Sequence, residues 1–277
     1  VKYLSDDPSP GTEGDVWYNT AGQLKAFLPI AAWSAGSDTI NAKRASGAAG
    51  TQTATVSFGG WPGNQNKTEE YNGTGWAAGE NMNTGREWLA GTGTQTAALG
   101  SGGYVTPAAT SNATEEYDGT DWTNGGNLNT TRYSGASAGT QTAGLHVAGA
   151  NHTATNNYGN SETYNGSAWT EVGDLNTGRR NIVVFGTQTA AIAAGGDPGS
   201  KANAESWDGS SWTEVGDLNS GRNGGAGFGI STSGIYAGGG TVNTEEWDGT
   251  SWTETSNMGT SRDSLGDSAG GTTSEGI

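Results

Sequence analysis

Six arginines, Arg44, Arg86, Arg132, Arg179, Arg222 and Arg262, each stand ten or eleven residues after a tryptophan: Trp33, Trp76, Trp122, Trp169, Trp212 and Trp252. A ring of guanidinium groups could clamp carboxylates, such as those of acidic sugars, through paired hydrogen bonds. Five of the copies also carry a glutamate two residues before an aromatic: Glu69, Glu115, Glu162, Glu205 and Glu245. A charge that recurs in step with its opposite is expected to be pairing that holds neighbouring strands, so chemistry is sought where the copies differ. Arg180, doubled after Arg179, and Lys201 break the pattern and are expected to touch something else.

The other reactive residue types offer less. Two carboxylates on one face could do glycosidic acid/base work, but Asp118, Asp208 and Asp248 are each followed directly by glycine, which reads as turn geometry. No unrepeated Asp/Glu pair marks a hydrolytic site, and no catalytic residue is assigned. His146 and His152 are too few for a transition-metal centre. His146 alternates with apolar neighbours and reads as a packed strand residue, His152 as a loop residue. There is no cysteine, hence neither disulfide nor thiolate metal site, and no cofactor is implied.

Loops that vary from copy to copy carry aromatic and amide side chains. This combination suits sugar rings, whose apolar C–H patches are edged by hydroxyls. Ligand contacts are expected from Trp61, Asn64, Gln65, Tyr104, His152, Tyr158, Arg180 and Lys201, with Trp61 and Tyr158 foremost.

Positioning these residues falls to a repeat of 40 to 47 residues, the size of one supersecondary unit. A Gly-Thr-Gln-Thr-Ala element recurs from Gly50, Gly93, Gly139 and Gly186, and an apolar residue lies six positions past each glycine: Val56, Leu99, Leu145 and Ile192. A polar turn entering an alternating apolar run predicts a hairpin. Asn72-Gly73, Asp118-Gly119, Asn165-Gly166, Asp208-Gly209 and Asp248-Gly249 stand between an aromatic and the repeat tryptophan and predict a second one. Each unit is therefore four short strands. Composition argues the other way, since Leu, Ile, Val and Phe total 31 residues at a net charge of −16, as in disordered chains. The strict register and 11 tryptophans, each able to bury ~150–250 Å² of surface, outweigh it.

These residues resemble the kelch repeat: a glycine doublet ending the second strand (Gly59-Gly60, Gly102-Gly103, Gly195-Gly196, Gly238-Gly239), Glu two before an aromatic, then Trp, then Arg. The third copy departs with Ala148-Gly149. The resemblance implies an all-β, six-bladed kelch-like β-propeller of four antiparallel strands per blade. It also implies that binding occurs on the face formed by loops after the second strand and loops leading into the first. A galactose-oxidase-type copper centre, known in this fold class, is excluded by the absence of cysteine.

Five complete intervals leave one blade to be assembled from both chain ends, with Gly271–Ile277 supplying inner strands and the segment from Val16 to Trp33 outer ones. Residues 1–15 read as an acidic linker and 16–277 as one propeller. Twenty-eight acids against 12 bases disfavour nucleic acid, and no apolar run approaches a membrane span. The opening Gly14–Thr20 stretch and the Gly-Thr-Gln-Thr-Ala elements are similar in style to virion appendage (tail-fibre) proteins of marine tailed bacteriophages. That similarity implies a non-enzymatic structural or host-recognition role at the virion surface, outside cells, with a host surface glycan, a receptor or other virion proteins as partners. Homo-oligomer formation is left open. The alternatives are a propeller glycosidase acting on surface polysaccharide and a kelch-type adaptor binding an acidic peptide through the arginine face.

Overall fold

The computed structural model describes residues 33–265 apart from 64, 106–108 and 153–156, together with the backbone of Lys2–Tyr3, Val16–Tyr18 and Leu24–Ala26. Two compact units are present, Val1–Trp33 and Ser34–Ile277. In the first, Val16–Tyr18 pairs antiparallel with Leu24–Ala26, as the sequence suggests for adjoining strands. Lys2–Tyr3 is a strand too, where a linker was expected; it pairs in parallel with Trp17 and Tyr18. The expected closing strands in 271–277 lie outside the described residues, as does Asn64.

The second unit holds five four-stranded antiparallel sheets and, among the described residues, no helix. The third is representative: Ala136–Thr140, Ala143–Val147, Ser161–Tyr164 and Trp169–Val172, paired in chain order. The first strands of successive sheets, from Gly47–Thr51 through Ala90–Thr94, Ala136–Thr140 and Val183–Thr187 to Gly225–Ile230, stand side by side. This is a propeller arrangement with five complete blades among the described residues, where six were expected.

A chain of backbone bonds circles the axis. Trp88 N–H donates to Ala45, Ser134 to Trp88, Asn181 to Ser134, Gly224 to Asn181 and Leu265 to Gly224, and Ala45 closes the circuit by donating to Ser264. Ala45, Trp88, Ser134, Asn181, Gly224 and Ser264 all have positive φ, between 51° and 67°. The ring therefore has six positions although five blades are complete, and the sixth is Ser264-Leu265. It surrounds an axial cavity of about 40 Å³, too small for anything but water.

Each repeated residue has a tertiary job. The repeat tryptophan packs between blades: Trp122 meets Phe58 of the preceding blade edge-on, with centroids 4.7 Å apart. Its indole N–H donates to the Thr68 hydroxyl at 2.9 Å; Trp169 does the same to Thr114 at 2.9 Å and Trp212 to Ser161 at 3.0 Å. The glutamine of Gly-Thr-Gln-Thr-Ala is a second inter-blade tie. Gln95, Gln141 and Gln188 each donate to two carbonyls of the preceding blade. The glycine doublet brings backbone against backbone: Gly103 N–H bonds the Arg132 carbonyl at 2.8 Å, and a Cβ on Gly102 would lie 2.7 Å from the same oxygen. In the third copy Ala148 occupies this place with φ of 64°.

One copy breaks the tryptophan tie. The position of Thr68, Thr114 and Ser161 is Ala204 in the fourth blade, and the buried Trp252 Nε1 that would reach it has no hydrogen-bond partner. Ala204→Ser is expected to stabilise the fold by about 0.5–1.5 kcal/mol, since it supplies one acceptor to an already desolvated donor. A urea midpoint unchanged or lowered in this variant counts against that reading.

His146 is buried in the third blade, its Nδ1 2.7 Å from the Ser101 hydroxyl and 3.3 Å from Ser137. Burial, with Arg132 adding to it, pushes its pKa well below the ordinary histidine value. The folded state keeps a neutral ring while the unfolded chain takes up a proton below pH ~6.5. Stability is therefore expected to fall as pH drops from ~6.5 towards 5, with this residue contributing up to about 1.4 kcal/mol per pH unit. An imidazole NMR signal of His146 that titrates between pH 5 and 7 contradicts it.

Candidate functional site

Four of the six arginines are buried in ion pairs with the expected glutamates. Arg86–Glu115 is 2.9 Å, Arg132–Glu162 2.5 Å, Arg179–Glu205 2.9 Å and Arg222–Glu245 2.8 Å. Each ties the segment leading into a blade to that blade's third strand. The glutamate is saturated from the same segment: Glu162 also accepts from the backbone N–H groups of Asn129 and Thr130 and from the Asn129 side chain. These guanidinium groups are structural and cannot clamp a ligand.

The first blade corrects one assignment. Glu69 pairs with Lys43 at 3.6 Å, not with Arg44. Lys43 is the residue ten after Trp33, matching the spacing in all later copies, so the register could have found it. Arg44 is displaced onto the surface, its guanidinium 4.5 Å over the Trp61 ring.

Arg44 and Trp61 exchange backbone hydrogen bonds, as do Glu87 with Tyr104, Tyr133 with Ala150 and Arg180 with Asp197. The segments leading into the first strands thus lie against the loops after the second strands, which forms the loop face that the resemblance implies. The turns Asp118-Gly119, Asp208-Gly209 and Asp248-Gly249 lie at the opposite strand ends. There each aspartate accepts from nearby backbone and hydroxyl groups, which lowers its pKa to about 2.

The loop face holds three groupings. Trp61 is 45% exposed, available to a ligand despite the Arg44 cation on it. Tyr104 and His152 meet with ring centroids 4.9 Å apart, and Tyr133 joins them at 6.1 and 6.4 Å. Arg180 donates to the Tyr133 hydroxyl at 3.3 Å, which ties this aromatic cluster to a cation. The third grouping is an open groove of about 520 Å³ lined by Asn157, Tyr158, Asn160, Thr177, Pro198 and Lys201. Gln65 lies apart, its backbone engaged with Gly60 and Arg86 and its side-chain oxygen buried without a partner.

Tyr133 and Glu87 were missed by sequence reasoning. Both occupy the position just after the repeat cation, where the copies read Arg44, Glu87, Tyr133, Arg180, Asn223 and Asp263. That variability amid strict repetition was the available signal. Burial pushes the Glu87 carboxyl above its ordinary pKa while Arg44 opposes the shift. Asp197 is held by the side chains of Asn223 at 3.1 Å and Asn181 at 3.3 Å.

No family model matches the chain, and no curated protein matches it. Among solved structures the chain is similar to YjhT, with a TM-score of 0.69 and 10% identity over 82% of this chain and 87% of that one. At that identity the likeness shows the fold alone.

Proposed function

We propose that the chain is a non-enzymatic recognition propeller carried on a virion appendage of a tailed phage, which grips a host surface glycan or another virion protein through its loop face. The observation that carries the recognition reading is the groove in which Tyr158 and Lys201 stand with Asn157 and Asn160. An aromatic wall with amide and ammonium donors is what a sugar ring requires. The described residues lining it include no carboxylate, whereas a glycosidase needs two, ~5–9.5 Å apart across a cleft. An acidic-peptide adaptor would need its arginine ring open, and four of those guanidinium groups are consumed internally. The virion setting rests on the style of the Gly-Thr-Gln-Thr-Ala elements. The six-position axial ring supports a six-bladed, kelch-like architecture with its last blade starting at Leu265.

A glycan array probed with the whole chain tests this reading. Trp61→Ala and Tyr158→Ala are each expected to weaken binding at least tenfold while leaving melting nearly unchanged. Turnover of a bound glycan, or binding indifferent to both substitutions, defeats it.

A further inference from the structure

The chain carries 12 basic residues against 28 acidic ones, yet the placement of those few cations is not even. Five of them, Lys43, Arg86, Arg132, Arg179 and Arg222, are spent in buried ion pairs. Two, Lys2 and Lys25, belong to the N-terminal unit. The remaining five are Arg44, Lys67, Arg180, Lys201 and Arg262, and every one lies in a segment of the loop face. None of the turns at the opposite end contains a base, while Asp118, Asp121, Asp208 and Asp248 are there, all exposed. The propeller is thus polarised, with its free cations on one face.

We infer that the ligand of the loop face is a polyanionic glycan, one whose sugar rings bear carboxylate or sulfate groups, seated with a ring on Tyr158 and an acidic group on Lys201 and extending toward Arg180. The inference rests on the glycan reading above and narrows it. Arg180 and Lys201 flank one loop: Arg180 exchanges backbone bonds with Asp197, and Lys201 donates its N–H to Gly196. The acids of the same face are held by neighbouring groups, and none lines the groove among the described residues. Asp197 accepts from two side-chain amides, Asp263 from the Ser264 N–H and Glu171 from the Asn160 side chain at 3.1 Å, and Glu87 is buried. Asp174 and Asp217 lie two and three residues past the ends of their fourth strands.

The net charge of −16 does not forbid an anionic partner. A five-residue strand at ~3.4 Å per residue separates the two faces by roughly 17 Å. That is about twice the screening length of ~8 Å at physiological salt. Contact is therefore governed by the local cations, and the distant acids act as an orienting field that turns the loop face toward an anionic surface.

The test uses the 277-residue chain with three polymers, a polyuronate, dextran sulfate and uncharged dextran, followed by calorimetry at rising salt. Binding to at least one charged polymer, absent for dextran, is expected, and which one binds tells carboxylate from sulfate recognition. Affinity is expected to drop steeply with salt. Arg180→Gln and Lys201→Gln are each expected to lose roughly three- to fivefold, as for exposed ion pairs, with Asp121→Asn on the opposite face as an unaffected control. Equal binding of dextran, indifference to salt or equal capture of a DNA duplex overturns the inference. If neutral glycans bind in a Tyr158-dependent way without any preference for acids, glycan recognition stands and only the inference falls. If no carbohydrate binds at all, both fall.

Discussion

Arg132→Met is expected to destabilise the propeller by about 3–5 kcal/mol, the cost of leaving a buried carboxylate without its counter-ion. Arg132 and Glu162 are both fully buried and 2.5 Å apart. The guanidinium also donates to the Asn160 carbonyl at 2.9 Å, so its loss orphans a main-chain acceptor as well. Desolvation lowers the arginine pKa, and Glu162 is the leading opposing influence. The pair is thus held in place by mutual need, and most of the loss comes from the partner left behind. Arg132→Met/Glu162→Gln is accordingly expected to be far less destabilised than the sum of its single variants. Chemical denaturation of the four proteins of this cycle measures the coupling. Additive losses would show that the two charges act independently, contrary to the geometry.

The legible part of this chain was whatever repeats. Tryptophan spacing, the glutamate two before each aromatic and the Asx-Gly dipeptides report local geometry and in-blade pairing, which the residues themselves encode. The partners of those residues across blades were not legible. That Thr68, Thr114 and Ser161 serve the next blade's indole depends on sheet-to-sheet registry, which no period in the sequence displays. The Lys43 pairing was readable but hidden by residue identity, because an adjacent arginine invited the wrong alignment. Of the candidate site, Tyr158 and Lys201 meet in one groove and Tyr104, His152 and Arg180 meet around Tyr133. Trp61 and Gln65 sit apart from both. Loop residues converge through the curvature of the ring, so chain position alone could nominate them but not group them.

Trp122→Ala is expected to cost about 3–5 kcal/mol, or roughly 6–20 °C in melting temperature at 2–4 °C per kcal/mol. Trp122 is 6% exposed and packs with Phe58, Met82, Leu89 and Tyr117, so truncation opens a cavity between two blades. It also strips the Thr68 hydroxyl of its donor. The two sheets cannot collapse to fill the gap without pulling against the Gln95 tie that fixes their spacing. Trp61→Ala removes the same side chain from a loop where it is 45% exposed and touches Arg44, so melting should hardly move. The contrast separates the two uses of one residue type: an indole between blades is the core of a protein that has few aliphatic residues, and an indole on the loop face is free to meet a ligand. Equal melting shifts for the two variants would mean that the repeat tryptophans do not carry the core, and the account of this fold as sheets joined by indoles would fail with them.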